Sequence, residues 1–249
     1  MHALEIDISW QQSDIYAVLP IALALLFFTV YWFIAQSDKI KAWFYRKSEP
    51  DKASVNHITF NRIVGFVSMG IFPVAICLVF LPDYSIADYG FKLDPGTSVF
   101  SILWIIVLSI LLIPIAYISA KKPQNLANYP QIRAKIWTKK TLIINSVTWA
   151  VYLLGYEFLF RGVLLFPLVA HLGVWTAIAI NIALYSATHI PKGMAETIGA
   201  VPLGFVLCIL TLSSGTIWIA FFVHLVMALT NSFTALKFHP DMQYIRFKK

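Results

Sequence analysis

The sequence predicts an all-α protein, a polytopic transmembrane helix bundle with about seven spanning helices. Three observations carry that expectation. Hydrophobic residues fill 59% of the 249 positions and charged residues only 12%, about half the charged share of an ordinary soluble domain. The mean hydropathy is +0.74. Seven apolar stretches reach or approach about 20 residues, the helical length that crosses a hydrocarbon core. In lipid, a helix is the form that lets such a stretch satisfy its own backbone.

The stretches lie near 15–36, 61–82, 97–119, 142–166, 174–190, 196–212 and 216–237. The first three carry essentially no ionisable residue at depth and read as supporting helices (15–119). The fourth is long and the sixth short. Prolines 73, 114, 167 and 202 fall in or near the apolar stretches, where a bundle tolerates them as kinks. The connector "KKPQNLANYPQIRAKIWTKK" (121–140) reads as a basic segment whose second half lies along the interface, anchored by Trp137. Cys77 and Cys208 sit in apolar runs and read as small core hydrophobes. The opening "MHALEIDISWQQSD" holds three acids and no lysine or arginine, unlike a secretory leader. The whole of 1–249 reads as a single membrane domain, without the internal repeat of many transporters.

Basic residues orient the bundle. Lys39, Lys41, Arg46, Lys47, Lys52 and Arg62 lie between the first and second stretches. Lys121, Lys122, Arg133, Lys135, Lys139 and Lys140 lie between the third and fourth. Lys192 follows the fifth, and Lys237, Arg246, Lys248 and Lys249 form the tail. The positive-inside rule then places the N-terminus outside and the C-terminus in the cytoplasm of a cell (inner) membrane. The net charge of +7 is accounted for by anionic headgroups beside those loops, so no nucleic-acid partner is implied.

Polar residues at depth are few, and they are concentrated. Glu157 and Glu196 are the acids in or at the edge of an apolar stretch, and His189 and His224 the embedded histidines. All four fall in the last four stretches, and ionisable groups at such depth are functional candidates by default. Glu157 and Arg161 are four apart, on one helical face. His224 and Asn231 are seven apart, again on one face. His189 and Glu196 flank "HIPKGMAE", where Pro191 and Gly193 break the helix. Taken singly, each has an ordinary role: a structural ion pair, a helix cap, an interhelical amide. Together, two imidazoles and one or two carboxylates support two chemistries. They can hold a divalent metal such as zinc through His189, His224 and Glu157 and activate its water. They can equally use a carboxylate as general base while an imidazole or amide stabilises the oxyanion. At 1.5 Å per residue, His189 lies about 22 Å below Val174, Asn231 about 22 Å below Thr216, Glu157 about 20 Å below Ala170, and His224 only about 12 Å below Thr216. His224 is thus two turns out of level.

"YEFLFRG" (156–162), "YSATH" (185–189) and "FFVHLVMALTN" (221–231), in that order on successive helices, resemble the CPBP intramembrane proteases. That family includes the CAAX prenyl endopeptidases and the bacteriocin-processing and self-immunity (Abi) proteins. The resemblance covers about 130–237 and implies a catalytic core there. It implies a peptidase acting on a peptide or protein substrate at the bilayer, while the depths of the polar residues put the expected active site towards the cytoplasm. It assigns Glu157, Arg161, His189 and His224 to the second glutamate, the arginine and the two histidines of the family pattern. Tyr185 stands where phenylalanine is usual. Tyr156 occupies the place of the first glutamate, and Ala228 the position four after His224, with Asn231 one turn later. The expectation is that Glu157 and Glu196 share water activation. The rival expectations are a non-catalytic member that binds membrane peptides as an immunity or regulatory factor, and a small proton-coupled transporter.

Overall fold

The structure is a computed structural model, described here for residues 8–245; the predicted basic tail at Arg246, Lys248 and Lys249 and the first seven residues lie outside the described residues. Helix α1 (Ile15–Ala35) leads through the short amphipathic α2 (Asp38–Lys47) to α3 (Pro50–Phe66). A π-helical turn, Val67–Ile71, joins α3 to α4 (Phe72–Phe80), so that Pro50–Phe80 forms one apolar span. Next come α5 (Pro95–Ala120), the single-turn α6 (Pro123–Asn128), the two-residue strand β1 (Ile136–Trp137) and α7 (Lys139–Glu157). A second π segment, Phe158–Leu164, carries α7 into α8 (Leu165–Leu172). Helices α9 (Val174–Ala187), α10 (Met194–Ser214) and α11 (Trp218–Phe238) and strand β2 (Gln243–Tyr244) complete the order.

Among the described residues six helices, not seven, are long and apolar enough to span a membrane. The exception is α9, whose 14 residues reach only about 21 Å. It stops at Ala187 because Pro191 lacks a backbone donor and Gly193 turns the chain at φ +107°. The 3-10 turn Ile190–Lys192 then leads into α10. This short pass keeps a helix end, and with it His189, inside the bundle rather than beyond it.

Two sets of contacts define the ends of the bundle. At one, β1 pairs in parallel with β2, and the Asp51 carboxylate accepts from the backbone N–H of Lys135 and Ile136 (2.9 and 3.0 Å). Trp137 is fully buried there, so the connector packs into the protein instead of anchoring in the interface. At the other end, the Tyr16 hydroxyl donates to Asp83 and Thr97 donates to the Ser214 carbonyl. The 81–94 loop is pinned locally by Ser85, whose N–H and hydroxyl donate to Asp88 (2.8 and 2.6 Å) and hold that carboxyl below the usual range. Its tip enters the bundle: Tyr89 is fully buried, and Ile217 N–H and Trp218 Nε1 donate to the carbonyls of Gly90 and Lys92 (3.1 and 2.7 Å). Helix α11 therefore begins inside the protein. This recess brings His224 to the level of the other polar residues and removes the two-turn discrepancy.

Helices α3 and α7 meet at glycine. A Cβ on Gly155 would lie 2.8 Å from Phe66 Cα, and one on Gly70 would lie 2.9 Å from Gly155 Cα. Small residues permit such close backbone approach, which supplies packing where lipid offers no hydrophobic drive. The contact seats the turn immediately before Tyr156 and Glu157.

The supporting helices are not free of charge at depth, contrary to expectation. Arg62 lies within α3, 2% exposed, and His57 one turn earlier is also buried. Arg62 Nη1 donates to Asn145 O, Asn145 Oδ1 and Thr148 Oγ1 (3.0, 3.2 and 2.8 Å), and Nη2 to Gln131 Oε1 and Asn145 Oδ1 (both 3.2 Å). Its guanidinium also stacks 4.2 Å over the Trp149 ring. Asn145 continues to Ser232 of α11 (3.2 Å). One arginine thus ties α3 to α7 and the connector, and through Asn145 to α11.

Candidate active site

Tyr156 and Glu157 are the last two residues of α7, and Phe160 and Arg161 lie in the second π segment that follows. Such i to i+5 turns widen a helix locally and recur at functional sites. Glu157 and Arg161 are both fully buried. Arg161 Nε stands 3.6 Å from Glu157 Oε2, an ion pair without a hydrogen bond. The other carboxylate oxygen, Oε1, lies 2.6 Å from His224 Nδ1. A carboxylate only accepts, so Nδ1 carries the proton and the far nitrogen, Nε2, presents a lone pair.

His189 is set the same way by a different partner. Its Nδ1 is 3.0 Å from the Tyr185 carbonyl, which again requires N–H at Nδ1 and leaves Nε2 as acceptor. Both imidazoles meet the Tyr156 ring edge to face, with ring centroids 5.6 Å (His224) and 6.4 Å (His189) away. The Tyr156 hydroxyl bonds Thr188 Oγ1 at 2.7 Å, and Thr188 donates to the Tyr185 carbonyl. Where the family pattern has its first glutamate, this site has a phenol in contact with two histidines.

Of the six residues expected in the site, the structure joins Glu157, Arg161 and His224 directly and sets His189 against the Tyr156 ring. Glu196 sits in the first turn of α10, half-buried, within electrostatic reach of Lys192 and His224. It forms no ion pair with either histidine among the described residues. Asn231 is two turns along α11, where its Oδ1 accepts from Asn125 Nδ2 of α6 (2.8 Å). There it closes the end of the bundle near the connector.

The donors do not fit a metal centre. Among the described residues no three His, Cys, Asp or Glu side chains converge as ligands. Glu157 is taken up by His224 and Arg161. No chemical step is therefore routed through a metal.

Two residues unforeseen in the sequence complete the surroundings of Arg161. Asn181, fully buried on α9, accepts from Arg161 Nη1 (2.8 Å) and donates to the Phe160 carbonyl (2.5 Å). Cys208 of α10 donates its thiol to the same Asn181 oxygen (3.3 Å). Arg161 also stacks 4.3 Å over the Tyr185 ring. The available signal was spacing: Asn181, Tyr185 and His189 recur every four residues, one face of α9 carried inward.

Residues 138–230 match the family model described as type II CAAX prenyl endopeptidase Rce1-like. Through this region, which is less than half of the chain, the protein is similar to the CAAX-type proteases. The matched segment holds α7, both sides of the second π segment, α9, α10 and most of α11. Every CPBP motif residue (Glu157, Arg161, His189 and His224) falls within it. No curated protein and no solved structure matches the chain. The six apolar helices make the chain an integral membrane protein, and its similarity to a protease family lies in residues 138–230.

Proposed function

We propose that this protein is an active intramembrane endopeptidase of CAAX type, cleaving a peptide bond presented close to the membrane, near the substrate's C-terminus. The observation that carries the reading is the 2.6 Å bond between Glu157 and His224. It fixes one imidazole with its proton on Nδ1, so that Nε2 is ready to take a proton from water. Glu157 orients that ring and stabilises the imidazolium formed when water attacks the carbonyl. Arg161 keeps Glu157 ionised. The attacking water gives one proton to His224 Nε2 as its oxygen bonds the carbonyl carbon. The same proton then passes to the departing amine as the C–N bond breaks. His189 takes part from its place against the Tyr156 ring, and Glu196 acts on the site's electrostatics from the first turn of α10. In this reading water activation rests on the Glu157–His224 pair, with Tyr156 filling the place of the first glutamate.

In this reading the end of the bundle with the basic loops and the β1–β2 pair faces the cytoplasm, an orientation supported by the positive-inside rule. Purified protein reconstituted in liposomes, given a peptide library with free and amidated C-termini, tests the proposal. Cleavage that disappears in His224→Ala supports it. Peptides bound but left intact by the wild type would favour the non-catalytic alternative.

A further inference from the structure

The fork of an arginine ordinarily takes a carboxylate through two parallel N–H donors, occupying both oxygens. Arg161 does not do this with Glu157. Its Nη1 is turned away to Asn181 Oδ1 (2.8 Å), and its Nη2 approaches Gly204, where an added Cβ would meet it at 3.9 Å. Only Nε faces the carboxylate, at 3.6 Å. Oε1 is consequently free for His224.

The group that holds the fork back is Asn181. Its oxygen accepts from Arg161 and from the Cys208 thiol, and its amide donates to Phe160 O within the π segment that carries Arg161. One fully buried amide thus fixes both the guanidinium and the backbone on which it is mounted. The sequence motifs do not include it, and it touches neither histidine.

We propose that Asn181 is a positioning residue that restrains Arg161 from chelating Glu157 and thereby preserves the Glu157–His224 bond. Without that restraint the guanidinium swings its two Nη groups onto both carboxylate oxygens, and His224 loses its acceptor. An oxygen acceptor at position 181 is the element required, so aspartate substitutes for it where leucine and serine do not: leucine has no acceptor and serine is too short to reach.

Proton NMR of protein labelled with nitrogen-15 histidine tests this without any substrate, reading the Nδ1 protons of His224 and His189. These are assigned by their loss in His224→Gln and His189→Gln. Asn181→Leu and Asn181→Ser are expected to move the His224 proton upfield and speed its exchange with water about tenfold or more, leaving the His189 proton unchanged. Asn181→Asp is expected to keep both. In the cleavage assay, which does rest on the peptidase reading, the Leu and Ser variants are expected to lose about 10- to 100-fold in kcat with KM unchanged, recovered in the Asp variant. If one of the two fails to fold, the other decides. An unchanged His224 proton in the folded variants overturns the proposal. So does loss of both histidine protons together, which would mean a merely structural role. A wild type without cleavage overturns the peptidase reading alone and leaves the proton measurement to decide.

Discussion

His224 and Glu157 share a 2.6 Å hydrogen bond between helices α11 and α7, and the carboxylate is fully buried. Neither group is satisfied by lipid, so each is the reason the other is tolerated at that depth. Glu157→Gln and His224→Ala are each expected to lower kcat for peptide cleavage by about 10²- to 10⁴-fold. Because the pair works as a unit, the double variant is expected to be scarcely slower than either single one. Steady-state kinetics on reconstituted protein measures this, and multiplicative losses would mean independent roles.

Tyr156 contributes its ring more than its hydroxyl in this site. Tyr156→Phe keeps the ring contacts with both imidazoles and gives up the bond to Thr188, at a stability loss of about 1 kcal/mol. Cleavage within a few-fold of wild type is the expected result. A fall of about 100-fold or more would assign the phenol a chemical role instead.

Chelation separates the two chemistries that the sequence left open. Among the described residues no three His, Cys, Asp or Glu side chains converge as ligands, and Glu157 is already paired. Protein purified without chelators is therefore expected to hold no stoichiometric zinc, and EDTA to leave cleavage unchanged. Elemental analysis showing one metal per chain, lost in His189→Ala, would contradict the general-base route.

Arg62 presents a buried cation with neutral oxygens and a Trp149 face in place of an acid. Hydrogen bonds from a charged donor each contribute about 1.5–3 kcal/mol. Arg62→Ala is thus expected to destabilise the fold by at least about 2 kcal/mol, seen as a clear fall in unfolding temperature in detergent. Arg62→Lys is expected to recover only part of that, since an ammonium cannot reproduce the planar fork. An unchanged transition in Arg62→Ala would show that the α3–α7 tie is dispensable.

The class of the molecule was legible from local information. Apolar runs of spanning length report on the helices one at a time, and four-residue spacing reports on the face shared by Glu157 and Arg161. The motif order on three helices sufficed for the family. Loop or span could not be told for Arg62, because twelve residues of mixed polarity precede it in α3 and nothing local says that Asn145, Thr148 and Gln131 wait there. Trp137 misled for the same reason, since its burial depends on β2, more than a hundred residues later.

The sequence by itself determined that polar groups are gathered in the last four stretches, since the expense of placing charge in lipid is paid residue by residue. Only the tertiary structure decided which of them meet. His224 reaches Glu157 because α11 starts below the 81–94 loop, His189 stays inside because α9 is short, and Asn231 turns to Asn125 instead. Those outcomes depend on relative helix depth and on side chains from separate helices, and neither is encoded in the spacing within any single one.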